Sequence, residues 1–124
     1  MNKFLFLSCL FFILLILQKN SVMNGDLDKE IKTLVRQASR WTTAAQQDKN
    51  PMISVLHANY GAGYLWALKD IATQSQIEKA AGLELLKFEK EITDVQDAAT
   101  KRMIAVCPEF GPKKSYLTTL GSEG

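Results

Sequence analysis

The chain has 124 residues, 47% of them hydrophobic and 23% charged, with a formal net charge of +2 at pH 7. That length admits one domain with some extensions, and so small a charge gives no argument for a polyanion as partner. The two cysteines, Cys9 and Cys107, lie in unrelated settings, which excludes a disulfide framework and any zinc-type ligand spacing.

Residues Phe4 to Leu17 (FLFLSCLFFILLIL) form an uninterrupted apolar run. As a helix it spans roughly 21 Å, whereas a hydrocarbon core of about 30 Å asks for about 20 residues. Two readings follow: a short retained anchor, or the apolar core of a cleaved signal peptide. The following stretch, Gln18 to Gly25, carries no pair of small residues at cleavage spacing, and Lys3 and Lys19 can snorkel at either end. The anchor reading leads, with Phe4, Leu10, Phe12 and Leu17 facing lipid. Release into a secreted or lumenal compartment is the alternative. Orientation stays open, because Lys3 and the amino terminus oppose Lys19, Lys29, Lys32 and Arg36.

Gln18 to Gly25 reads as a polar linker. Asp26, Asp28 and Glu30 then crowd a helix start, where negative charge meets the positive end of the dipole. Leu27, Ile31, Leu34, Ala38, Trp41 and Ala45 recur at steps of four and three, with Lys29, Lys32, Arg36 and Arg40 opposite. This first helix is expected to end near Gln47. Asn50 and Pro51, a capping residue and a first-turn residue, open the central helix. Its two sides are both apolar: Ile53, His57, Tyr60, Tyr64, Ala67 and Ile71 on one, Val55, Ala58, Ala62, Leu65 and Trp66 on the other. A helix apolar on two sides is expected to be covered on two sides. Ser75 and Glu78 suggest a capping box for a short turn of helix ended by Gly82. Leu85, Phe88, Ile92, Val95, Ala99, Met103 and Val106 then mark a third long helix over Leu83 to Val106, stopped by Pro108. The expected architecture is all-α: residues 1–25 as anchor or signal segment plus linker, 26–107 as a small up-down-up three-helix bundle, and 108–124 as a flexible tail.

Residues with chemical potential are few. His57 is the only histidine, and on an apolar face it is most simply an imidazole hydrogen-bonded within the core. Zinc needs three or four ligands, so no metal site is expected. Gly61-Ala62-Gly63 lacks the lysine and the preceding strand of a phosphate loop. Both Gly61 and Gly63 are expected where a neighbouring helix comes close, with a kink or a ligand niche between the tyrosines as alternatives. Glu84, Glu89, Glu91, Asp94 and Asp97 are scattered among lysines and form no inward carboxylate pair. No nucleophile–base–orienter set assembles, so neither catalysis nor a cofactor is expected. The basic stripe Lys29, Lys32, Arg36 and Arg40 is a solvated face or a contact for an acidic surface. Among acidic surfaces, anionic headgroups near the anchor are the more economical choice, and nucleic acid is disfavoured by the lack of further charge and exposed aromatics.

The segment Trp41 to Glu78, centred on HANYGAGYLWALKDIAT, resembles short uncharacterised proteins encoded by large DNA viruses of algae and related environmental sequences. The resemblance implies a virus-like origin and brings no activity, ligand or site residue with it. The expected function is that of a membrane-anchored, non-enzymatic bundle acting by protein or membrane-surface contact. A secreted helical protein holding a small apolar ligand is the alternative.

Overall fold

The computed structural model describes residues 2–111 and Leu120. These form four α-helices, α1 (Lys3–Gln47), α2 (Pro51–Ile71), α3 (Gln74–Ala81) and α4 (Leu85–Val106), and a 3-10 turn at Pro108–Phe110. No strand occurs among the described residues. The expected all-α class stands; the short turn of helix before Gly82 is α3, and the expected N-terminal hydrophobic helix and first bundle helix are one helix, α1.

The largest correction concerns the linker. Residues 18–25 are helical, and α1 runs for 45 residues from the apolar run into the bundle, about 67 Å at 1.5 Å per residue. The expected boundary at residue 25 therefore falls inside a helix. The stretch holds no proline and a single glycine, Gly25. One glycine costs a helix about 1 kcal/mol, and propagation between two established helical segments needs no new nucleus.

At the start of α2 the Asn50 side chain accepts from the Met52 and Ile53 amides at 3.0 and 3.4 Å. Pro51 costs nothing there because the first amides lack intrahelical partners. The short α3 carries a capping box two residues earlier than expected, formed by Thr73 and Gln76 rather than Ser75 and Glu78. Gly82 closes α3 at φ 65°, the left-handed conformation that suits glycine. Glu78 instead reaches forward and accepts from the Leu85 amide at 3.1 Å, supplying an N-terminal partner to α4, whose own Glu84 makes no capping bond. Of the expected tail, Pro108–Phe110 forms the 3-10 turn; residues 112–119 and 121–124 lie outside the described residues.

α2 runs back along α1: Asp26 to Leu34 lie by Ala67 and Ile71, while Ala45 lies by Ser54. α4 runs back along α2, with Lys69 paired to Glu89 and Asn59 to Gln96. Towards the apolar run, Ile31, Ala38, Ala62, Leu65, Leu68, Ile77, Leu85 and Ile92 form one core cluster. Each fully buried Leu or Ile contributes about 1.5–3 kcal/mol relative to exposure. Towards the far end a second cluster gathers Ala45, Val55, Ala58, Ala99 and Met103. The α1–α2 contact is lined by small residues, with Ala38, Thr42, Ala45, Ser54, Ala58, Gly61 and Ala62 all buried, so the two backbones approach closely. Val106, expected in the third apolar seam, is exposed, while Met103 and Cys107 on the neighbouring side of the same turn pack into the far cluster.

Candidate functional site

Four features can meet another molecule or hold a polar arrangement, and they lie on different parts of the bundle. The first is the apolar run. Every large hydrophobic residue from Phe4 to Leu17 is exposed, between 44% for Leu15 and 83% for Phe4; Leu10 and Leu17, two turns apart, share a side, while Phe4 and Phe12 point elsewhere. No part of the bundle covers them.

The second is the outer side of α2. Of the Val55–Ala58–Ala62–Leu65–Trp66 side, the first four pack into the core as expected, while Trp66 is exposed; the other side is not covered. Ile53, Leu56, Tyr60 and Ile71 are exposed, and Gly63 with them. This corrects the expectation of a helix enclosed on two sides. Only α1 and α4 lean on α2 along its length, and both approach from the core side. Trp41, Asn59, Tyr60, Gly63, Tyr64 and Ala67 line an open groove of about 410 Å³ on this side. Trp41 meets the Tyr60 ring edge-on at 5.2 Å between centroids, a favoured aromatic geometry.

The two glycines part company here. A Cβ on Gly61 would fall onto the Thr42 hydroxyl and lie 3.1 Å from the Thr42 amide nitrogen and 3.2 Å from the Ala38 carbonyl oxygen. Gly61 is thus a point of close backbone approach. A Cβ on Gly63 would meet nothing within 4 Å, so the expected close packing at Gly63 is wrong. Two helical residues in succession turn through about 200°, which sends the two positions to different sides. The Thr42 hydroxyl, pressed against Gly61, has no hydrogen-bond partner among the described residues.

The third feature is the joint between α1 and α2. Three groups from elsewhere in the chain serve the end of α1, whose last carbonyls have no intrahelical donors. The Ser54 hydroxyl donates to the Ala45 carbonyl at 2.7 Å, and the Arg102 guanidinium of α4 donates to the Asp48 carbonyl at 2.8 Å. The Asp48 carboxylate accepts from Nδ1 of His57. A carboxylate only accepts, so that nitrogen carries the proton. The His57 ring also lies 5.0 Å from the Trp41 ring, centroid to centroid. Expected as a core imidazole bonded to a Tyr, Ser or carbonyl, His57 is half-buried and bonded to a carboxylate. Its partner was legible only as a turn residue nine positions earlier. No group of three or more His, Cys, Asp or Glu side chains converges on a point among the described residues.

The fourth is the basic stripe. Lys29, Lys32, Arg36 and Arg40 are all exposed. The Arg40 guanidinium lies 5.4 Å from the Trp41 ring centroid, close enough for a cation–π contact. The stripe occupies the side of α1 turned away from its buried Ile31, Ala38 and Ala45. It borders the outer side of α2 at two points: Lys29 lines an open pocket with Ala67 and Ile71, and Arg40 lies against Trp41, which lines the groove with Tyr60 and Gly63.

Comparison of the chain with protein-family models, with curated proteins and with solved structures finds no match.

Proposed function

We propose that the protein is a single-pass, membrane-anchored helical bundle that works by protein contact and not by catalysis, with α1, α2 and α4 alternating in direction above the bilayer. The observation that carries this reading is the run Phe4 to Leu17, exposed on every side of a helix that continues unbroken into the bundle. Each Phe, Leu or Ile left in water forgoes about 1.5–3 kcal/mol of burial. A lipid core supplies that burial without any protein partner. The helix is long and apolar enough by composition to cross a membrane. Its short apolar length is offset by Lys3 and Lys19 reaching to the interfaces, and by modest thinning of the bilayer. The unbroken helix over residues 18–25 supports retention, since a cleavable segment needs an accessible, extended site.

The groove beside Trp41, Tyr60 and Tyr64 favours the second reading, a secreted protein holding a small apolar ligand there. One experiment separates the two. The full chain is expressed, its membranes are washed with alkaline carbonate, and the mature N-terminus is determined by mass spectrometry. A carbonate-resistant chain still carrying Phe4 to Leu17 is the expected outcome. A soluble chain beginning near Met23 to Asp26 would replace the anchored reading with the secreted one.

A further inference from the structure

We draw no further inference here: the strongest candidate, the exposed outer side of α2 with the open groove lined by Trp41, Tyr60 and Tyr64, carries nothing, because nothing in the structure shows what covers it.

Discussion

Gly61 and Gly63 stand about 200° apart around α2, and the chemistry available to each follows from that angle alone. At Gly61 a methyl group meets the Thr42 amide nitrogen and the Ala38 carbonyl oxygen, backbone atoms that cannot rotate aside. Gly61→Ala should therefore destabilise the protein by about 1–3 kcal/mol as α1 and α2 are pushed apart. At Gly63 the methyl group enters open space, and a helix interior prefers alanine over glycine by up to about 1 kcal/mol. Gly63→Ala should accordingly leave stability unchanged or raise it. Denaturant unfolding of the two variants checks both signs at once, and a Gly61→Ala variant as stable as the parent would show slack between the helices. His57 and Thr42 mark the same narrow interface from two directions. The imidazole is satisfied by Asp48, while the Thr42 hydroxyl is held against Gly61 without a partner among the described residues.

At the scale of the elements, the joints rather than the helices carry the polar detail. Glu78 links α3 to α4: its carboxylate accepts from the Gln74 side-chain amide at 2.9 Å and from the Leu85 backbone amide at 3.1 Å. Those bonds favour the ionised form and hold the Glu78 carboxyl below the ordinary carboxylate value, the Gln74 bond contributing most. A lowered folded value means that ionised Glu78 stabilises the joint above the unfolded glutamate pKa of about 4.3. That contribution is lost as pH falls through the lowered folded value. The Leu85 amide should then exchange hydrogen faster relative to the intrinsic rate of a free amide at each pH, and Glu78→Ala should show the same loss of protection already at neutral pH. Protection of Leu85 that ignores both pH and the substitution would assign the start of α4 to packing alone. Between α2 and α4 the Lys69 ammonium bonds both carboxylate oxygens of Glu89 at 2.9 and 3.0 Å and lies 4.7 Å from the Trp66 ring centroid. This pair is partly exposed, so it serves register more than stability.

Across the whole molecule, with the apolar run set in a bilayer as proposed, the continuity of α1 would decide how the other surfaces stand relative to it. Lys29 lies 12 residues beyond Leu17 and Arg40 lies 23 beyond it, so an upright helix lifts the stripe from about 18 to about 35 Å above the apolar run. At physiological salt, surface charge is screened within about 8 Å. Contact between Arg36 or Arg40 and anionic headgroups therefore requires α1 to bend, and Gly25 is the one glycine between the run and the stripe. Lys19 is placed for headgroups in either case, whereas an upright α1 holds Arg36 and Arg40 clear of them. Replacing Arg36 and Arg40 by Glu should leave binding of the full chain to phosphatidylserine vesicles unchanged at low and high salt. Release of the variant from those vesicles would show that α1 bends and that the stripe rests on the lipid.

The sequence by itself was sufficient for most of what depends on neighbours along the chain. The three-four repeats of Leu27 to Ala45, of Val55 to Leu65 and of Leu85 to Met103 identify helices and their buried sides, since periodicity is set by helical geometry alone. Asn50-Pro51 and Gly82 mark ends because caps and left-handed turns are local. The same reasoning failed at residues 18–25, where polar composition suggested a linker but nothing in it breaks a helix flanked by strong helical segments. The tertiary structure decided what depends on distant partners. It separated Gly61 from Gly63 by bringing Thr42 against only one of them, and it joined Asp48 to His57 and Arg102 across the end of α1. It also left one apolar side of α2 uncovered, because an apolar pattern records that a surface seeks burial, whereas the number and placement of the other helices determine whether burial is supplied within the chain.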